Sequence, residues 1–164
     1  MNSPSPNKWT VGAILQWTSG YFSQHGLDSP RLDAEVLIAH ALGCTRVELY
    51  TRHPMPLGDA ERARVRELVR GRVKERTPVA YLTGFKEFYG LKFYVSPDVL
   101  IPRPETECLV DAVISYLDGR EVEQGTSTRV WDVGTGSGAI AVALAQKRSE
   151  LSLVASDISR AGLS

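Results

Sequence analysis

Residues 130–139 read Val-Trp-Asp-Val-Gly-Thr-Gly-Ser-Gly-Ala, and this stretch decides the fold of the second half of the chain. Its first four residues have the short apolar pattern of a buried β-strand. An apolar helix is predicted from Ala139 to about Lys147, and a second strand is predicted over 151–155. Strand, glycine turn, helix and strand together predict one βαβ unit of a parallel sheet.

The glycine turn is the strongest candidate for a binding site. Gly134, Gly136 and Gly138 allow a tight turn and let a ligand approach the main chain without meeting a Cβ atom. The spacing alone also fits the dinucleotide pattern G-x-G-x-x-G/A. Asp132, however, precedes the turn, and its carboxylate repels a pyrophosphate but suits a cationic ligand such as S-adenosylmethionine, which carries an ammonium and a sulfonium.

A second carboxylate, Asp157, follows the second predicted strand. An acid at this position accepts hydrogen bonds from a ribose diol in adenosylmethionine and NAD sites alike, so it does not separate the two cofactors. The alternative for Asp132 and Asp157 is that each is a helix-capping or loop carboxylate without a ligand.

Composition narrows the class of protein. The chain has 164 residues, with 19 Lys and Arg against 19 Asp and Glu, so its neutral charge gives no reason to expect direct nucleic-acid binding by the whole molecule. Cys44 and Cys108 form neither a disulfide framework nor a zinc site. The polar Met1–Lys8 is not a signal core, and no run reaches membrane-spanning length. We expect a soluble, cytoplasmic monomer without a metal or a membrane.

The first half predicts four short helices. The first begins from Thr10, the second follows an N-cap at Ser29, the third starts with a capping box of Thr45 and Glu48, and the fourth is capped by Asp59. The second helix is expected to bury Leu32, Val36, Ala39 and Leu42. The fourth carries seven basic and four acidic residues over 59–76. These charges indicate either a solvated face with i,i+4 pairs or a docking surface for an acidic or RNA-associated partner. The three tryptophans are interpreted as packing residues.

Residues 85–95 are aromatic and β-branched around Gly90, which predicts a hairpin. The sequence Pro102-Arg103-Pro104 predicts a rigid loop, and a helix is predicted from Thr106 to about Leu117, with Leu109 among the inward residues. Polar residues 118–128 are expected to form an exposed connection.

Taken in order along the chain, five motifs resemble the HemK/PrmC family of protein-(glutamine N(5)) methyltransferases. They are Ser-Pro-Arg-Leu-Asp-Ala-Glu from 29, Pro-Val-Ala-Tyr-Leu-Thr-Gly from 78, Phe-Tyr-Gly-Leu-Lys-Phe from 88, Leu-Ile-Pro-Arg-Pro-Glu-Thr-Glu from 100 and Asp-Val-Gly-Thr-Gly-Ser-Gly from 132. The resemblance covers nearly the whole chain from Trp9 onward, and the Arg-Pro-Glu-Thr-Glu loop is its most specific element.

The resemblance implies a multi-domain α and α/β protein. It divides the chain into a helical substrate-docking domain over 1–80, a β-hairpin linker over 81–101 and the start of a class I, Rossmann-like methyltransferase domain over 102–164. It also implies transfer of a methyl group from S-adenosylmethionine to the glutamine of the Gly-Gly-Gln motif in class 1 peptide-chain release factors.

The resemblance further implies which residues bind the cofactor. Asp157 would hold the ribose, and Phe88 and the loop from Pro102 to Glu107 would flank the site. Arg103 and Glu105 are equally compatible with a structural ion pair that locks this loop. The residues expected to line the cofactor itself are Asp132, Gly134, Thr135, Gly136, Ser137 and Gly138.

One departure from the family concerns catalysis. The Asn-Pro-Pro-Tyr motif that holds the substrate amide in the family does not occur in these 164 residues, and one βαβ unit does not bury both faces of a sheet. We therefore expect an N-terminal fragment that does not turn over, because an amide nitrogen reacts only when acceptors position it. The rival interpretations are an adenine-N6 methyltransferase acting on nucleic acid, a non-catalytic partner-docking fragment and, more distantly, an NAD dehydrogenase.

Overall fold

The computed structural model describes residues 9–119, 128–160 and 162. The chain divides into two compact units, Met1–Thr83 and Gly84–Ser164. Among these described residues, the first unit contains five helices, which are α1 (Val11–Gln24), α2 (Pro30–Leu42), α3 (Arg46–Thr51), α4 (Asp59–Lys74) and α5 (Val79–Thr83). The second contains β1 (Phe85–Phe88), β2 (Leu91–Tyr94), α6 (Glu107–Asp118), β3 (Arg129–Val133), α7 (Ala139–Lys147) and β4 (Ser152–Ser156), with a 3₁₀ turn at Pro104–Thr106.

Two predicted helix starts are confirmed by their caps. The Thr10 hydroxyl accepts a hydrogen bond from the Ala13 amide at 3.2 Å at the start of α1. At α3, Thr45 and Glu48 form the predicted reciprocal capping box, in which the Thr45 amide donates to the Glu48 carboxylate at 2.7 Å. The other two predicted caps do not act as expected.

Helix α4 begins one residue away from the prediction. Gly58, not Asp59, is its N-cap, and the Gly58 amide donates to the Glu61 carboxylate at 2.7 Å. Ser29 does occupy the N-cap position of α2, with Pro30 as the first helical residue, but the Ser29 hydroxyl makes no capping hydrogen bond. The sequence therefore predicted where α2 and α4 begin, but not which atoms form the hydrogen bonds at their N-termini.

The buried face of α2 differs from the predicted stripe. Leu32 is 45% exposed, whereas Asp33 and Glu35 are buried with the apolar side chains of the helix. Helix α2 packs against α1, α3 and α4, so it buries a wide surface that no single stripe describes. The apolar residues that it contributes to the core are Ala34, Leu37, Ile38, Ala39 and Ala41.

The buried acids of α2 are satisfied by side chains from α2 itself and from other helices. Glu35, whose side chain is 6% exposed, accepts hydrogen bonds from Arg31 at 2.7 Å, Arg46 at 2.7 Å and the Tyr50 hydroxyl at 2.6 Å. Burial alone would raise the pKa of Glu35, but these donors outweigh it and lower the pKa to about 2. This charged network joins α2 to α3.

The predicted hairpin is confirmed. Strands β1 and β2 pair antiparallel, with Phe88 opposite Leu91. The two residues between them, Tyr89 and Gly90, both have positive φ, at 53° and 74°, as a tight two-residue hairpin turn requires. Phe88 and Phe93 from the two strands meet at a ring-centroid distance of 6.2 Å and enter the core of this unit.

The predicted βαβ unit is also confirmed, because β3 and β4 pair in parallel, with Asp132 opposite Ala155. The apolar core between α6, α7 and these strands includes Val110, Ala143 and Leu144. Leu109, predicted to face inward, is instead 50% exposed, since Val110 is the α6 residue that is fully buried. Most of the predicted connection over 118–128 lies outside the described residues.

In the part of the chain that the structure describes, no helix has both the length and the apolar character needed to cross a bilayer. Among the same residues, no group of three or more His, Cys, Asp or Glu side chains is arranged to hold a metal ion.

Candidate functional site

The glycine turn between β3 and α7 is the centre of the candidate site. Gly134, Gly136 and Gly138 have φ values of 78°, 56° and 74°, a region that disfavours any side chain. A Cβ atom added to Gly134 or Gly136 would meet nothing within 4 Å. Backbone conformation therefore requires glycine at these positions, and the space beside the turn stays open.

Asp157 ties the turn to the end of β4. Its two carboxylate oxygens accept hydrogen bonds from the Ser159 amide at 2.8 Å and from the Gly136 amide at 2.7 Å. These main-chain donors lower the pKa of Asp157, against a smaller opposing effect of desolvation. Backbone donors thus hold the Asp157 carboxylate in place at the turn, and each of its oxygens retains acceptor capacity for a further donor.

Asp132 lies on the other flank of the turn. The Thr135 hydroxyl donates to Asp132 Oδ2 at 2.6 Å, which fixes the orientation of this carboxylate. Among the described residues, no partner contacts Asp132 Oδ1 within hydrogen-bonding distance. The turn consequently presents two oriented carboxylates on the strands that precede and follow α7.

Most amide groups of the turn already donate to protein acceptors. The Gly134 and Thr135 amides donate to the Ser156 carbonyl at 2.7 and 3.0 Å, and the Gly138 amide donates to the Thr135 carbonyl at 2.9 Å. The Gly136 amide is bound to Asp157. A pyrophosphate would compete with these bonds and with both carboxylates, so the local chemistry favours a ligand with cationic and hydroxyl groups.

An open cavity of about 530 Å³ lies within the second unit beside the turn. It shares Ser137 with the glycine turn and is otherwise lined largely by the hairpin and the segment after it. Sequence reasoning did not assign these hairpin residues to the site. The other lining residues are Gly84, Lys92, Phe93, Tyr94, Val95, Ser96, Val99, Val142 and Gly162.

The remaining predicted site residues lie elsewhere in the second unit. Phe88 is buried in the core, with 1% of its surface exposed, while Pro102 is half-buried and Arg103 and Glu105 are exposed. Within the described residues, no salt bridge joins Arg103 to Glu105. The contact of these four residues with a cofactor stays a prediction.

Three groups that shape the turn were not predicted from the sequence motifs: the Ser156 carbonyl, the Ser159 amide and the Trp131 indole. The Asp-x-Ser spacing of Asp157 and Ser159 is a local signal for the Asx turn that forms there. Trp131 was interpreted as a packing residue, but it is 66% exposed, and its indole N–H donates to the Ser156 hydroxyl at 2.9 Å. No local signal reveals a carbonyl acceptor on a neighbouring strand.

Comparison with known proteins identifies relatives of this chain. A family model described as the PrmC N-terminal domain matches residues 13–84. The release factor glutamine methyltransferase of Rhodopirellula baltica is 48% identical over 155 residues, which cover 94% of this chain and 52% of the relative. The protein of the same name from Burkholderia pseudomallei is 44% identical over 163 residues, covering 99% of this chain and 52% of the relative.

A third relative, the release factor glutamine methyltransferase of Chlorobaculum tepidum, is 39% identical over 160 residues, 95% of this chain and 53% of its own length. The chain therefore spans about half the length of the curated relatives it matches. These matches extend through the hairpin and the glycine turn as well as the helical unit.

Proposed function

Since this chain belongs to the HemK/PrmC family of release factor glutamine methyltransferases, we propose that its second unit is the cofactor-binding part of a class I, Rossmann-like methyltransferase. The ligand proposed for the glycine turn is S-adenosylmethionine. The whole protein's activity is then methylation of the glutamine side chain in the Gly-Gly-Gln motif of class 1 peptide-chain release factors, in the cytoplasm.

One observation carries this proposal: the open turn of three positive-φ glycines is framed by the oriented carboxylates of Asp132 and Asp157. The two carboxylates fit S-adenosylmethionine because they are anionic acceptors. The ribose hydroxyls of the cofactor are donors, and its methionine end carries an ammonium and a sulfonium. Asp157 would accept the ribose hydroxyls, and Asp132 would stabilise the positive charge. The glycines would let the ligand lie against the main chain without a Cβ between them.

When bound, S-adenosylmethionine supplies an electrophilic methyl group. The protein's own contribution is to orient both reactants, because the lone pair of an amide nitrogen is delocalised and the nitrogen is a poor nucleophile. Carbonyl acceptors that hold the glutamine amide in line with the methyl–sulfur bond supply this orientation. The Asn-Pro-Pro-Tyr acceptor motif does not occur in the 164 residues, so we propose that this chain alone binds cofactor without transferring the methyl group.

Calorimetric titration of the 164-residue chain tests the cofactor assignment. S-adenosylhomocysteine is expected to bind and NADH is not. Asp157→Asn removes the charge and one acceptor, and it should weaken S-adenosylhomocysteine binding about tenfold, the loss of about 1.4 kcal/mol expected for a charge-assisted hydrogen bond. Asp28→Asn, an equal change of charge at an exposed residue of the helical unit, is the matched control.

The proposal is overturned by NADH binding in place of S-adenosylhomocysteine, or by equal affinities of the two variants. Catalysis is tested separately, by incubating the chain with radiolabelled S-adenosylmethionine and either a class 1 release factor or single-stranded DNA. Label in neither substrate is the expected result for this chain, and a full-length relative should label the release factor. Turnover by the 164-residue chain near that of the relative would contradict the proposed role of the missing motif, while label in DNA would favour the adenine-N6 alternative.

A further inference from the structure

The helical unit carries a groove between α1 and α4 that the proposed cofactor chemistry does not use. Its volume is about 280 Å³. Its floor is apolar and buried, formed by Ile14, Val65 and Val69. Two tryptophans, Trp9 and Trp17, and two arginines, Arg62 and Arg66, form the remaining lining. We call these seven residues the α1–α4 groove.

The two tryptophans of the groove, which were predicted to be packing residues, lie at the surface and pack against neighbouring aromatic rings. Trp9 is 39% exposed and Trp17 is 49% exposed. They contact each other edge to face at a centroid distance of 6.2 Å, and Trp17 stacks on Tyr21 at 5.0 Å. These ring contacts hold both indoles in place. A partner can therefore bury their exposed area at little cost in side-chain entropy.

The arginines of the groove differ from the others on α4. Arg72 pairs with Asp33, Arg70 pairs with Glu67, and Arg64 donates to the Ala41 carbonyl. Arg66, by contrast, forms no ion pair or hydrogen bond with any described residue.

Arg62 is bound to Asp59 through one terminal nitrogen, but its buried Nε has no hydrogen-bond partner within the described part of the chain. A buried donor without an acceptor is costly, and rotation of the partly exposed Arg62 guanidinium toward a carboxylate in the groove would remove that cost. Cationic donors are therefore left available on one side of an apolar groove.

We propose that the α1–α4 groove docks an acidic peptide segment of a partner protein. An apolar side chain of the segment enters the groove against Trp17, and its carboxylates pair with Arg62 and Arg66. A peptide is favoured over single-stranded nucleic acid because nucleic acid binds through open ring faces, and Tyr21 covers one face of Trp17. The apolar floor likewise matches an aliphatic or aromatic side chain.

The test uses the complete 164-residue chain and fluorescence anisotropy of a labelled probe peptide, Glu-Glu-Leu-Phe-Glu-Glu with blocked ends. Arg66→Glu should weaken its binding by about tenfold or more, because it replaces an attractive charge with a repulsive one. Lys74→Glu makes the same charge change on the same helix, outside the groove lining, and should change the affinity by about twofold at most. Arg66→Gln should give an intermediate loss, and circular dichroism of each variant verifies folding.

Two matched probes separate the contributions of charge and apolar contact. Replacing Leu-Phe by Ser-Ser, or each Glu by Gln, should weaken binding by about tenfold in either case. The proposal is overturned if Arg66→Glu and Lys74→Glu bind the peptide equally, or if no peptide binds. It is also overturned if a single-stranded RNA hexamer binds the groove more tightly than the acidic peptide.

Discussion

The two units hold their key acidic side chains in opposite ways. Glu35 in the helical unit is buried and is satisfied by the side chains of Arg31, Arg46 and Tyr50. Asp157 in the second unit is satisfied by the main-chain amides of Gly136 and Ser159. The pKa is lowered in both cases, but only Asp157 lies beside an open turn where a ligand can reach it. The first acid therefore stabilises the fold, and the second is available for binding.

Apolar surface shows the same contrast. Helix α2 contributes five buried apolar residues to the helical core, whereas Trp131, Val133 and Val154 on the β3–β4 pair are exposed. The second unit buries its apolar side chains around α6 and α7, while hydrogen bonds to Asp132 and Asp157 hold its glycine turn. Variants that remove one polar group from each unit distinguish these two modes of stabilisation.

The largest expected effect is on the helical unit. Glu35→Ala leaves Arg31, Arg46 and Tyr50 without their shared acceptor, and it should lower the free energy of unfolding by about 2 kcal/mol. Urea denaturation measures this loss, and hydrogen exchange of the α2 amides is a second measurement that shows whether it affects α2. Glu67→Ala is the control, since the exposed Glu67–Arg70 pair should contribute less than about 0.5 kcal/mol. Equal losses in the two variants would show that the Glu35 network is not a principal stabilising element.

Acidification should reproduce much of this effect. The pKa of Glu35 in the folded state, about 2, lies below its ordinary value of 4.5. Its contribution is therefore complete above about pH 4.5 and is lost as the pH falls toward about 2. Unfolding midpoints measured between about pH 6 and about pH 3 should fall less steeply in Glu35→Gln than in the wild type. Parallel slopes would assign the acid sensitivity to other carboxylates.

A smaller effect is expected at the turn. Thr135→Val removes the hydroxyl that orients Asp132 and should cost about 1 kcal/mol. The loss should appear as faster exchange of the Gly136 and Gly138 amides, with no change in α2. Thr135→Ser keeps the hydroxyl and serves as the control; if it exchanges as fast as Thr135→Val, the hydrogen bond to Asp132 does not hold the turn.

Local signals were sufficient for much of the fold. The Thr45–Glu48 capping box, the hairpin around Gly90 and the βαβ unit all depend on residues close together in sequence, and each is present. The glycines of the candidate site were also recognisable from sequence, because their conformation is required by the turn itself.

Features that depend on distant partners were not predictable. Asp33 is buried because Arg72, 39 positions away, pairs with it, and nothing in the α2 sequence indicates that partner. Periodicity likewise assigned Leu32 to the core and missed the breadth of the buried face. The exposure of Trp17 and Trp131 was missed for a related reason: aromatic residues are usually buried, and only the surroundings show which ones are not.

The two-residue link between β1 and β2 also restricts how this protein can tolerate changes in length. Side chains alternate between the faces of a strand, so one residue inserted after Tyr89 would shift the pairing of Phe88 with Leu91. Phe93 would then rotate out of the interior, and the face that carries Lys92 and Tyr94 would turn inward, with Lys92 at the former position of Phe93. Any insertion tolerated at this point must therefore form a loop that preserves the pairing of β1 with β2. Deletion and insertion scanning should find this turn sensitive to changes in length.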